Sequence, residues 1–148
     1  MTPYEQMAKF ETGMEMGLLT VDELRDFLTE ALRGNDVPYI YTDVYLSLNK
    51  GYETVIETIF YNLHGKYSVD KTPGNHVQRM LIGVIKNKFD SGKINMDECI
   101  HYLHELTNYS ECSWDLLSID EYYRLTKSGY HSEDEFKSIL DKIFSQAL

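Results

Sequence analysis

The stretch MGLLTVDELRDFLTEAL, residues 16–32, decides the fold class. Its apolar residues recur every three or four positions, which is the spacing of an α-helix with one buried face. Thr20 and Glu23 precede that stripe as a capping box, in which the hydroxyl and the carboxylate each accept a backbone N–H. Gly17 is placed to end a preceding helix, because glycine readily adopts the left-handed conformation. The stretch therefore predicts two helices joined by a tight turn.

The same junction, a glycine followed by a cap residue at +3 and Glu at +6, recurs at residues 92–98 and 129–135. Further capping boxes are predicted for two pairs, Thr2 with Glu5 and Ser118 with Glu121. The junction has the glycine and final Glu of a calcium-binding EF-hand loop, but the preceding ligand positions lack the carboxylates that calcium prefers. We therefore expect helical hairpins and no calcium.

Helical periodicity extends over the rest of the chain. Apolar stripes lie at residues 55–63, 77–85, 96–106 and 136–144, and residues 38–48 also keep helical spacing. No segment shows convincing alternation of the kind that a half-buried strand requires. The sequence predicts an all-α bundle of about seven or eight helices, built from helical hairpins in a single domain, residues 1–148.

Composition limits the function classes. The chain has a formal net charge of −10, which disfavours direct nucleic-acid binding, and it has no apolar run long enough to span a bilayer. The first residues lack the basic and apolar regions of a signal peptide, so we expect a cytoplasmic protein without membrane contact. Of the two cysteines, Cys99 falls on an apolar stripe and is expected in the core.

The charge is unevenly distributed along the chain. Residues 1–65 and 94–148 each carry eleven acidic and four basic residues, whereas residues 66–93 carry two acidic and six basic ones. The acidic parts could attract a basic protein. The basic segment could contact an anion, be neutralised within the fold, or meet the acidic parts of a second subunit.

Helix ends offer another explanation of the acidity. Ten acidic residues fall in predicted first turns, where negative charge stabilises the helix dipole. They are Glu5, Asp22, Glu23, Asp97, Glu98, Asp120, Glu121, Glu133, Asp134 and Glu135. Without them the acidic and basic residues balance, so capping alone could supply the whole excess. One carboxylate can serve both purposes, and both interpretations stay open.

Tyrosine is unusually frequent, with twelve residues. Tyrosine is enriched at protein interfaces, although Tyr45 and Tyr102 are more readily explained as edges of the helical core. We predict that exposed phenol rings and surface carboxylates form a partner-binding patch. Its residues are Tyr39, Asp43, Asp120, Glu121, Tyr123, Glu133 and Asp134.

Catalytic and metal-binding motifs are sparse. Glu98, His101 and His104 have the spacing of a carboxylate–histidine metal site, but the motif occurs once and Glu98 and His101 lie opposite the apolar stripe. No phosphate-binding loop, nucleophile elbow or zinc-protease motif is present. We expect a protein that is not an enzyme and needs no cofactor or metal.

Two segments carry a resemblance: ETGMEMGLLTVDELRDFLTEAL (residues 11–32) and YLSLNKGYETVIETIFYNL (residues 45–63). They resemble the first part of small acidic helical immunity proteins, which accompany secreted polymorphic toxins of the LXG type in Gram-positive bacteria. The resemblance covers roughly the first 65 residues and supplies no catalytic residue. It implies an antitoxin that binds and neutralises a cognate toxin domain, typically a basic nuclease.

The leading hypothesis is therefore an immunity-type protein with a basic protein partner. One alternative is a homodimeric cytoplasmic or phage-derived adaptor without a toxin partner. The other is a small metal-dependent or acid–base enzyme that uses Glu98, His101 and His104.

Overall fold

The described residues, 2–64 and 76–148 of a computed structural model, confirm the all-α fold class. Within these ranges the chain forms eight α-helices. They are α1 (Pro3–Glu15), α2 (Val21–Ala31), α3 (Tyr39–Ser47), α4 (Tyr52–Leu63), α5 (His76–Asp90), α6 (Met96–Glu105), α7 (Trp114–Lys127) and α8 (Glu133–Phe144). None of these residues belongs to a strand. The basic residues Lys66 and Lys71, and the predicted start of a helix at Pro73, lie outside the described residues.

The chain divides into two compact units, Met1–Val77 and Gln78–Leu148. Unit 1 contains α1–α4, and unit 2 contains most of α5 together with α6–α8. The prediction of a single domain stays a prediction. Within residues 2–64 and 76–148, no helix has both the length and the apolar character needed to span a bilayer.

One part of the core of unit 1 lies where α1 meets the first junction. Leu19 is buried against Gly13, where an added Cβ would lie only 2.5 Å from Leu19 Cδ1. Gly17 ends the turn with a φ of 77°, a conformation that side chains other than glycine rarely adopt. Phe27 then packs between Phe10 and Tyr41, with ring centroids 5.3 and 5.5 Å apart. The two helices and the tight turn predicted from residues 16–32 are confirmed, although α1 packs mainly on α4 and α2 on α3 rather than on each other.

The core of unit 2 forms around α5 and α6. Cys99 is fully buried, as predicted, together with apolar side chains from all four helices. These include Leu81, Ile85, Leu103, Ile119, Leu140 and Ile143. Residues near the end of the chain pack on α5, where Leu148 N–H donates to the carbonyl of Arg79. A Cβ at Gly83 would lie 2.7 Å from the carbonyl oxygen of Leu148, so that contact needs a glycine.

The predicted helix starts are mostly correct. Thr20–Glu23 and Asn95–Glu98 form complete capping boxes, and the Thr2 and Ser132 hydroxyls accept the N–H of the residue three positions later. The capping box at Ser118 is wrong. The helix begins five residues earlier at Trp114, capped by Ser113, and Ser118 Oγ instead donates to the Trp114 carbonyl inside the helix at 2.7 Å. The earlier start places Leu116 in the core, which decides the register.

Candidate functional site: an acidic aromatic cavity on α7

A small open cavity lies on the α7–α8 hairpin of unit 2, and we call it the α7 cavity. Its volume is about 220 Å³. Its walls combine aromatic rings, one carboxylate and one imidazole. The lining residues are Trp114, Ser118, Glu121, Tyr122, Leu125 and His131. A concave site that mixes apolar walls with a few polar groups is the usual form of a binding site.

The register of α7 brings three of these residues to one face. Trp114, Ser118 and Leu125 follow each other at helical spacing on the side opposite the buried Leu116 and Ile119. Trp114 is 76% exposed, although it lines the cavity. Tryptophan is enriched among the residues that contribute most to binding at protein interfaces, so this position is a candidate contact.

His131 closes the cavity from the turn between α7 and α8. It follows Gly129, whose φ of 84° ends α7, and precedes the cap residue Ser132. The imidazole lies against Tyr122, with ring centroids 5.0 Å apart. Its Nδ1 is 3.3 Å from Glu135 Oε2, so a second carboxylate stands behind this wall.

The charged groups of α7 are weakly engaged. Glu121 Oε1 accepts from the Arg124 guanidinium at 3.4 Å, and both side chains are about two-thirds exposed or more. Asp115 is 4.0 Å from the Lys142 ammonium, and Asp120 is exposed. Exposed ion pairs of this kind contribute about 0–1 kcal/mol and exchange readily with other partners.

The register of α7 changes which acidic residues lie at helix starts. Asp120 and Glu121 lie in the middle of the helix, so the prediction that they serve a helix start is wrong. Their places in first turns are taken by Asp115 and by Glu53 of α4. Ten acidic residues still lie in the first turns of the described helices, so helix capping can still supply the charge excess of the chain. It does not explain Glu121, whose carboxylate lines the α7 cavity in the middle of the helix.

Tyr123 is held within the fold. Its hydroxyl donates to Asp97, its ring lies 5.3 Å from Phe136, and Lys127 sits over the ring at 4.7 Å. Burial, followed by the bond to Asp97, raises the pKa of Tyr123 to about 12. Tyr123 and Glu133 line a separate cavity of about 250 Å³ that does not include Glu121. Tyr123 is thus a structural contact between α6, α7 and α8.

Tyr39 and Asp43 belong to unit 1. Tyr39 is the first residue of α3 and is 74% exposed, whereas Asp43 accepts a hydrogen bond from the Asn62 amide at 2.7 Å. Asp43 also lines a shallow depression with Tyr4, Tyr61, Asn62 and His64. We call this region, with the exposed Leu46 and Phe60, the α3–α4 surface. Here, too, a carboxylate and exposed aromatic rings lie on the same helices.

The seven predicted residues are divided between the two units. Tyr39 and Asp43 lie on α3 of unit 1. In unit 2, Glu121 lines the α7 cavity, Asp120 lies on α7 outside that lining, and Glu133 shares the second cavity with Tyr123. Asp134 is exposed in the first turn of α8.

The sequence prediction missed Trp114 and Tyr130, which are among the most exposed aromatic residues of unit 2. A signal for Trp114 exists, since it falls opposite the stripe of Leu116 and Ile119 once α7 is started at Ser113. Tyr45, expected at the core edge, is 40% exposed.

Metal and thiol chemistry have little support in the described ranges. No three His, Cys, Asp or Glu side chains in that part of the chain come together in a way that would hold a metal ion. Glu98 accepts the Asn95 N–H at 3.1 Å, so its carboxylate completes a cap, and His101 is exposed. Burial raises the pKa of the Cys99 thiol to about 12, which makes it a poor nucleophile.

Comparison with family models, with curated proteins and with solved structures finds no match for this chain.

Proposed function

We propose that this protein binds and neutralises a basic protein partner, as an immunity-type protein does for its cognate toxin domain. The observation that carries the proposal is the exposed Trp114 on α7, which lines the same cavity as the carboxylate of Glu121. A large aromatic ring supplies buried contact area, and neighbouring negative charges attract a basic surface and raise the association rate.

The charge of the chain supports the same proposal. Its formal net charge is −10, and the basic residues of α5 are partly engaged within unit 2. Lys86 pairs with Asp90 at 2.6 Å, and the Arg79 guanidinium donates to the Gln146 carbonyl at 2.9 Å. We therefore expect the electrostatic field around the protein to be negative, which favours a positively charged partner over an acidic one.

The test is a binding measurement with the protein encoded by the neighbouring gene, by surface plasmon resonance at several salt concentrations. We expect sub-micromolar affinity and an association rate that falls steeply with added salt. Trp114→Ala should weaken binding by about 2–4 kcal/mol. Tyr130→Ala is the matched control, because Tyr130 is equally exposed and does not line the α7 cavity. No binding, or an association rate independent of salt, contradicts the proposal.

The homodimeric adaptor remains the second candidate, and the α3–α4 surface favours it. Leu46, Phe60 and Tyr61 are each more than half exposed there, which is costly in water unless a partner covers them. Multi-angle light scattering distinguishes the candidates: a concentration-dependent dimer that Phe60→Ser disrupts supports the adaptor, and a monomer supports the immunity-type protein.

A further inference from the structure

We infer that the α7 cavity is a binding site for one arginine side chain of the basic partner. The inference rests on the proposed function, since it specifies which chemical group of that partner the cavity takes. Guanidinium binds by stacking on aromatic faces and by donating paired hydrogen bonds to a carboxylate. Trp114, Tyr122 and Glu121 supply these two kinds of group in one cavity.

Glu121 already accepts a hydrogen bond from a guanidinium group of the same chain. The guanidinium of Arg124 donates to Glu121 Oε1 at 3.4 Å, a long bond between two exposed side chains. An incoming arginine that also stacks on Trp114 makes an additional contact, so it can compete with Arg124 for the carboxylate. Arg124 therefore acts as an internal competitor for the site.

Size and charge agree with one cationic side chain. A volume of about 220 Å³ is below the usual range for small-molecule pockets, about 300–1,000 Å³, and suits a single amino-acid side chain. Glu121 lines the cavity, and Glu135 stands 3.3 Å behind His131. Arginine is favoured over lysine because its planar group matches both the ring faces and the carboxylate fork.

The test uses the indole N–H resonance of Trp114, which is the single tryptophan of the chain. The full chain, labelled with nitrogen-15, is titrated at low salt with N-acetyl-arginine methylamide, and separately with the lysine and citrulline analogues. We expect a saturable shift with arginine, a weaker one with lysine and none with citrulline, which has the same shape but no charge. Equal shifts with arginine and citrulline, or no saturable shift with arginine, overturn the inference.

Two pairs of variants sharpen the result. Glu121→Gln should weaken arginine binding about two- to fivefold, whereas Asp120→Asn removes the same charge outside the cavity and should change it less. Arg124→Gln should strengthen binding, because it removes the competitor, and by more than Lys127→Gln on the same helix. If the two variants of each pair change arginine binding equally, only the overall charge matters and the arginine site is overturned.

The titration is independent of the partner, so the two proposals fail separately. Binding of the basic protein without an arginine effect on Trp114 overturns the cavity assignment alone. A normal arginine titration combined with no binding of the basic protein overturns the proposed function.

Discussion

The junctions α1–α2 and α7–α8 have the same sequence pattern, but their residues make different contacts. In the α1–α2 hairpin the residue two positions after the glycine is Leu19, which is buried against Gly13. In the α7–α8 hairpin the same position holds His131, which is half-buried and lines the α7 cavity. The two turns are similar, since Gly17 and Gly129 have φ values of 77° and 84° and the N–H of the next residue donates to the carbonyl five residues earlier in both. The side chains that follow make different contacts, because Leu19 joins the core of unit 1 and His131 lines a surface cavity.

The final Glu of the pattern also has different partners in the two junctions. Glu23 of the first hairpin returns to accept the Thr20 N–H at 3.2 Å. Glu135 of the third hairpin is 3.3 Å from His131 Nδ1. Glu23 thus completes a helix cap, whereas Glu135 contacts the imidazole of the preceding turn.

The largest expected effect is a difference in stability between variants at Leu19 and at His131, which occupy the same position of the two junctions. Leu19→Ala should lower the free energy of unfolding by about 3 kcal/mol, because it opens a cavity between α1 and the turn. His131→Ala should change it by no more than about 0.5 kcal/mol, since the imidazole is partly exposed. Urea denaturation followed by circular dichroism measures both. Similar losses would show that the two junctions play the same structural role.

The next effect concerns the close approach at Gly13. Gly13→Ala should cost about 1–2 kcal/mol, because the new Cβ would meet Leu19 at 2.5 Å and the buried leucine has little room to move. Gly34→Ala is the matched control, since the nearest atom there is 3.6 Å away. If thermal unfolding of Gly13→Ala equals that of the control, the tight packing of the first hairpin is refuted.

A smaller effect distinguishes Ser118 from Ser132 in the α7–α8 hairpin. Ser132→Ala should cost about 1 kcal/mol, because the Ser132 hydroxyl accepts the Glu135 N–H at the start of α8. Ser118→Ala should be neutral or slightly stabilising, because alanine favours the interior of a helix. Chemical denaturation of both variants checks the register of α7, and a larger loss at Ser118 would contradict it.

The smallest expected effect depends on pH and concerns Glu11 of α1. Burial, with repulsion from Glu15, raises the pKa of Glu11 from 4.5 to about 7. The folded carboxyl therefore binds its proton more tightly than the unfolded one, so its contribution to stability falls as the pH rises from 4.5 through about 7.

Glu11→Gln should remove that loss. We expect the variant to be more stable by about 0.5–1 kcal/mol at about pH 8, with the gain shrinking as the pH falls, after allowing for solvent screening of a partly exposed group. Glu121→Gln on α7 is the matched control with an exposed carboxylate. A gain that is the same at every pH would show that Glu11 ionises normally.

The turns between helices could be predicted from the sequence because the residues that specify them are close together in the chain. A glycine, a cap and a Glu within seven residues determine the turn, and the apolar stripes select Cys99 and Leu103 for the core. The fold class follows from these features alone.

The candidate site was only partly predictable. Ser118-x-x-Glu121 and Ser113 are competing starts for α7, and local pattern favours the first because it carries the Glu. Packing of Leu116 decides for the second, and that depends on the other helices of unit 2. For the same reason the sequence did not show that Trp114 is uncovered, or that Tyr123 is bonded to Asp97.

The exposure of Trp114 also affects how the protein must be studied. Its indole is already surrounded largely by solvent in the folded chain, so intrinsic fluorescence should shift little when the helices unfold. The same emission should respond strongly when a ligand covers the ring. We therefore expect tryptophan emission to be a weak probe of folding in this protein, and a ligand in the α7 cavity to be detected by it directly.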